Sequence, residues 1–390
     1  MNGISQRLRQ FFLLNQPVSR NLAMEGLRGY AVLLVLFIHC IGVVCYQHRA
    51  INLAEQQAPV WRLVQWHGIT DALLITLNMG HYAVDLFFLL SAFLITRIVM
   101  RQREFSYLPY LKKRILRIYP AFLLSMAVAM AVQIVLLERY KFSFGMLGAN
   151  LLFLNGAPII GYRFVEYNGP TWSLFYEFAF YVVFPLLFAL WSHMRHPERP
   201  TFIPAAILML GALVYAHSYM ARSAMFFFGM FLGSRTDDEL RKVGCRLPTW
   251  LVVSLYSAVC LAYATISRNF AWFLPAYAVA VSLLFLKSCY SDGLLNRLFT
   301  SLPMRWMGNI SYSLYLIHMP TLYILAWLID FTALGLHPLT SAALFVVAGS
   351  ICSMAMAVML FTVAERWYFR RPASVPTPVQ ATPPPLRLAA

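Results

Sequence analysis

The chain has 390 residues, of which 60% are hydrophobic and only 12% charged. That balance excludes an ordinary soluble domain and points to a polytopic membrane protein. The formal net charge of +16 would suit nucleic acid, but the basic residues sit at the ends of apolar segments, so no nucleic-acid partner is expected.

In chain order, residues 1–20 read as a cytoplasmic N-terminal arm, either amphipathic on the inner leaflet or a plain tail. Ten spans follow, at roughly 27–46, 78–98, 119–138, 172–191, 202–218, 220–234, 249–266, 270–290, 308–328 and 339–362. The first is too long, and too polar at Glu25 and Arg28, for a cleaved signal. With the N-terminus cytoplasmic, 24 of the 31 lysines and arginines fall on the inner side and 7 on the outer. The expected fold is therefore an all-α bundle with both termini cytoplasmic and outer loops at 47–77 and 139–171. Residues 21–367 form one integral membrane domain, and 368–390 a Pro-rich disordered cytoplasmic tail. The absence of an internal repeat counts against a secondary transporter. The six cysteines form no Cys-x-x-Cys, and no zinc-type His/Cys spacing occurs, so neither disulfides nor a metal are expected.

Ionisable residues inside apolar spans carry the chemical signal, because burying them in lipid is costly. Arg28 and His39 are eleven residues apart, about 1100° of helix, so they fall within about 20° of one face and roughly 16 Å apart along it. They fit two ends of a channel, or a snorkelling arginine and a hydrogen-bonded interior histidine. Counted at 1.5 Å per residue, His39, Asp85 and Glu177 lie about 8–10 Å from the outer end of their spans. That level suits an imidazole base with a carboxylate partner, or equally an interhelical hydrogen-bond network. Ser173, Glu177 and Tyr181 form a polar stripe on one helix face, and His81 lies near a span end. On the inner side Arg114 and Arg117, three apart, precede a third span that Pro120 is expected to begin. Paired guanidiniums suit phosphates, though anionic lipid would hold them as well. In the ninth span Ser311, Tyr315 and His318 share one helix, and packing explains them adequately. Pro320 frees a backbone carbonyl there that His318 can satisfy.

These strings, taken together, resemble the acyltransferase-3 family of integral membrane acyltransferases. The resemblance runs from about Asn21 to Trp367. It rests on Arg28-x10-His39, on Asp85-Leu-Phe-Phe-Leu-Leu-Ser91-Ala-Phe-Leu94 and on Arg114-x-x-Arg117. Trp172-Ser-Leu-x-x-Glu177 and Gly308-x-Ile-Ser-Tyr-x-Leu-Tyr-Leu-x-His318 complete it. One departure is Ser91-Ala-Phe-Leu94, where the family usually has Ser-Gly-Phe-Leu. The resemblance implies that His39 is the essential histidine, and that Glu177 and Asp85 support it. Arg28, Arg114, Arg117 and the Ser91 region then serve an acyl-CoA donor, with Trp172, Tyr315 and His318 as candidates for the acceptor side. The expected activity is transfer of an acyl group, acetyl foremost, from cytoplasmic acetyl-CoA to a sugar hydroxyl. The acceptor would be an envelope glycan or lipid-linked sugar at a bacterial inner membrane. His39 would act as general base or be transiently acylated. The competing reading is a proton-coupled transporter or flippase with His39, Asp85 and Glu177 as a relay.

Overall fold

Apolar segments in lipid must satisfy every backbone amide and carbonyl internally, and helices do so most simply. A computed structural model describes residues 21–48, 58–78, 82–101, 105–157, 160, 163–192, 222, 224–266, 270–331 and 333–370, and contains no strand among them. The expected arm at 1–20, the tail from 371 onward, the span at 202–218 and His81 lie outside the described residues.

The principal helices are α1 (Leu22–His48), α2 (Val60–Leu77), α3 (Ala83–Arg101), α4 (Tyr107–Met130) and α5 (Phe144–Leu151). Then come α6 (Trp172–Ser192), α7 (Met225–Ser234), α8 (Asp237–Arg246), α9 (Thr249–Thr265) and α10 (Phe270–Cys289). The last are α11 (Leu294–Thr300), α12 (Leu302–Leu328), α13 (Pro338–Leu360) and α14 (Arg366–Arg370). Among the described residues, five helical stretches are long and apolar enough to cross a bilayer, or six if the pair α8 and α9, bent by 88°, is one span. The expected sixth span appears only as the ten-residue α7. Although α12 is 27 residues long, it is not among the five, because Asn309, Ser311, Ser313, Tyr315 and His318 dilute its hydropathy.

Three boundaries differ from the expectation, each for a local reason. Helix α4 begins at Tyr107, not at Pro120, because Pro109 sits harmlessly in the first turn and Lys and Arg are good helix formers. Arg114, Arg117 and Pro120 therefore share one helix. The expected outer loop 47–77 contains α2, which bends at Gly68 with φ +81°. The segment near 235–246, expected as an inner loop, is α8, started by a reciprocal capping box between Thr236 and Glu239.

The core is organised around α1 and α12, and small residues bring their backbones together. A Cβ on Gly29 would lie 2.3 Å from the Met304 carbonyl oxygen, and one on Gly308 would lie 1.9 Å from that of Glu25. The Glu25 carboxylate also accepts from Arg305 Nε at 3.1 Å. On the other flank Phe226 of α7 stacks between Phe88 of α3 and Phe180 of α6, with both ring centroids 4.6 Å away. These two clamps hold the helices that carry the site.

Candidate active site

Helix α1 is continuous from Arg28 to His39, so both side chains are presented by one rigid element. Beside the Arg28 end of this helix lies a cavity of about 90 Å³, whose walls include Arg28, Ser91, Arg114, Arg117, Glu177 and Tyr181. Arg114 and Arg117 reach it together because residues three apart are neighbours on a helix. Glu177 Oε1 accepts from Ser91 Oγ at 2.7 Å and from the Tyr181 hydroxyl. The Arg114 guanidinium lies over the Tyr181 ring, 5.8 Å from its centroid. Arg117 Nη1 is 3.5 Å from Glu365 Oε2 and its guanidinium lies over the Phe369 ring at 4.3 Å.

Three positive groups and two carboxylates leave this cavity with an excess of positive charge. Arg28 Nε, Arg114 Nε and Arg117 Nη1 are buried and donate no hydrogen bond. Buried polar groups are ordinarily paired, so the donor set fits a polyanion with several acceptor oxygens, such as phosphates.

Ser173 and Tyr315 also line the cavity. Their hydroxyl oxygens are 2.7 Å apart, and Tyr315 also donates to the Pro170 carbonyl at 2.7 Å. Beyond Tyr315, with ring centroids 6.0 Å apart, stands His318. Its Nε2 is 2.7 Å from Nδ1 of His39, with the two rings nearly parallel at 16°. Contact thus runs from the arginine cavity through Tyr315 and His318 to His39.

The shared level of His39, Asp85 and Glu177 does not become a shared cluster, because depth says nothing about azimuth. The cavity face of α3 is made by Val84, Phe87, Phe88, Ser91, Leu94 and Ile95. Asp85 is about 120° around the helix from Ser91. Its buried carboxylate instead takes Arg222, with Nε to Oδ1 at 3.0 Å and Nη2 to Oδ2 at 3.2 Å. Trp172 belongs to this second group, its ring 5.4 Å from the Arg222 guanidinium carbon. Glu177 joins the arginine cavity, and the partner found beside His39 is His318.

The carbonyl freed by Pro320 also has an unexpected owner. It belongs to Leu316, four residues earlier, and it accepts from the Asn168 amide at 2.8 Å. His318 Nδ1 turns to the Leu314 carbonyl, 3.0 Å away. The segment before α6 is therefore fastened to α12 two residues from His318.

Sequence reasoning missed Arg222, Asn168 and Glu365. Glu365 lies three residues beyond the expected end of the last span, in a π-helical turn over Phe361–Glu365, where it accepts from Ser313. Such turns often mark functional positions. The signal for Arg222 was its place at the head of an apolar run, where a lone guanidinium needs a buried counter-ion.

Among known proteins, the chain is similar to the O-acetyltransferase OatA of Staphylococcus aureus, with 23% identity over 343 residues, 76% of this chain and 50% of OatA. It is also 23% identical over 286 residues to YrhL of Bacillus subtilis, named a putative peptidoglycan O-acetyltransferase, covering 63% of this chain and 44% of YrhL. The chain spans about half the length of these curated relatives or less. No solved structure matches it. The Acyl_transf_3 family, described as an acyltransferase domain, matches residues 21–362. That stretch holds both histidines and all three cavity arginines, and the chain belongs to this acyltransferase family.

Proposed function

We propose that this protein is a membrane O-acyltransferase that moves an acetyl group from cytoplasmic acetyl-CoA to a sugar hydroxyl of an envelope glycan. The observation that carries the reading is the convergence of Arg28, Arg114 and Arg117 on one cavity, each with a buried donor nitrogen that makes no hydrogen bond. Coenzyme A is polyanionic at one end and carries its thioester on a long uncharged arm. Phosphates held by the arginines leave that arm directed along the Arg28–His39 face of α1 toward Tyr315.

The residues can run the transfer in two ways. His39 takes the proton of the acceptor hydroxyl as its oxygen attacks the thioester carbon, and the departing thiolate receives that proton. Alternatively a His39 nitrogen attacks the thioester carbon and expels the coenzyme A thiolate. The acceptor oxygen then attacks the acyl-imidazole and displaces the imidazole, its hydroxyl proton ending on the thiolate. Part of the same proposal is a ten-span topology with cytoplasmic termini in a bacterial inner membrane, supported by the lysine and arginine asymmetry. The name of the Bacillus relative makes peptidoglycan, or its lipid-linked precursor, the first acceptor to test.

The experiment uses the protein in proteoliposomes with acetyl-CoA labelled in the acetyl group on the side of Arg114 and glycan acceptor on the other. Label is expected in the glycan with wild type and not with a stably inserted His39→Ala variant. A variant that transfers at the wild-type rate, or a wild type that moves acceptor while leaving acetyl-CoA intact, rejects the reading.

A further inference from the structure

The two histidines constrain each other's protons. The Leu314 carbonyl can only accept, so the His318 Nδ1 lying 3.0 Å from it carries a hydrogen. A neutral imidazole has one N–H, so His318 Nε2 holds a lone pair. His39 Nδ1, 2.7 Å from that nitrogen, must then be the donor. It follows that the acceptor nitrogen of His39 is Nε2. The opposite assignment would need both nitrogens of His318 protonated, a cation on a side chain with no exposed surface.

We propose that His318 is a positioning residue that fixes His39 in the Nδ1–H tautomer, so that Nε2 is its reacting nitrogen. An unconstrained neutral histidine side chain favours the Nε2–H form, so without a fixed acceptor at Nδ1 most His39 side chains would hold their proton on the wrong atom. A carboxylate would select the same tautomer, but at the cost of a second buried charge. His318 selects it while neutral, and Leu314 sets His318 in turn. The carbonyl–histidine–histidine chain lies on α12 and α1, the two helices whose backbones touch at Gly29 and Gly308, so its geometry is held by close backbone packing. Both routes of transfer need a lone pair on the reacting nitrogen, so the inference rests on the acyltransferase reading without choosing between them.

The test uses full-length protein with ¹⁵N-labelled histidine in nanodiscs, with His39→Gln to assign the His39 resonances. The ¹⁵N shifts of wild type are expected to show His39 protonated at Nδ1. In His318→Leu, which keeps bulk and removes the acceptor, the population should move to Nε2–H, with kcat falling roughly 100-fold, the scale of a positioned base. KM for acetyl-CoA should hold. His318→Gln, whose amide oxygen reaches the place of Nε2, should restore the Nδ1–H signal and much of kcat. Wild type protonated at Nε2, or His318→Leu with wild-type kcat, overturns the inference. If His318→Leu does not fold, the wild-type shifts and the Gln variant still decide. A wild type protonated at Nδ1 that transfers no acetyl group would sink the acyltransferase reading and leave the histidine pairing standing.

Discussion

The Arg222 guanidinium spans both oxygens of the Asp85 carboxylate, and neither residue is more than 3% exposed. Removing one partner strands a charge in the protein interior. Asp85→Asn should therefore destabilise the protein by about 3–5 kcal/mol, measured by denaturant unfolding in detergent micelles. Asp85→Leu combined with Arg222→Met should recover most of that loss and retain transfer activity. A stable double variant without activity would instead return Asp85 to the chemistry.

The arginine cavity predicts a division between binding and turnover. Arg114→Ala should raise KM for acetyl-CoA about 10–100-fold at nearly constant kcat, since each lost charged hydrogen bond costs about 1.5–3 kcal/mol. Glu177→Gln should also act on donor KM, because its neighbours Ser91 and Tyr181 line that cavity. Unchanged donor KM in Arg114→Ala would assign the guanidinium to lipid.

Native Cys245 reports topology without an engineered label site. Its thiol is exposed at the end of α8, on the expected inner face. An impermeant maleimide should label it only after permeabilisation, whereas a Phe144→Cys variant, at a position 82% exposed in the expected outer loop, should react in intact cells. Labelling of Cys245 from outside would reverse the orientation.

Asn168 and Pro320 should be thermodynamically coupled through the Leu316 carbonyl. Asn168→Ala alone should cost about 1–3 kcal/mol by leaving that oxygen unpaired. In a Pro320→Ala background the restored backbone amide can pair with the same carbonyl, and the cost of Asn168→Ala should shrink. A double-mutant cycle measures the difference, and strict additivity would mean that the two do not share this oxygen.

Legibility in the sequence followed the kind of information each feature needed. The continuous face from Arg28 to His39 depended on one helix alone, and helical period delivers that. The pairing of Arg114 with Arg117 was legible for the same reason. His39 with His318 and Asp85 with Arg222 join residues 279 and 137 positions apart, and their pairing depends on helix rotation, which hydropathy does not encode. Depth counting carried no information on rotation, and rotation turns Asp85 away from the cavity face of α3. Asn168 was hidden differently. Its bond exists only because Pro320 withholds a donor, and that becomes visible once two distant loops and helices are placed together.

The contact at Gly29 and Gly308 also limits how the protein can breathe. A slide of α12 along α1 by a single residue, about 1.5 Å, would drive a side chain into backbone at Glu25 or Met304 and pull the histidines out of reach. These two helices therefore act as a fixed spine. On the proposed function, an opening that admits the acceptor falls to the opposite wall, which the Asn168–Leu316 and Ser173–Tyr315 hydrogen bonds fasten to this spine. Substitutions along the spine should then alter the rate for every acceptor equally, while changes in the wall should alter which acceptors are chosen.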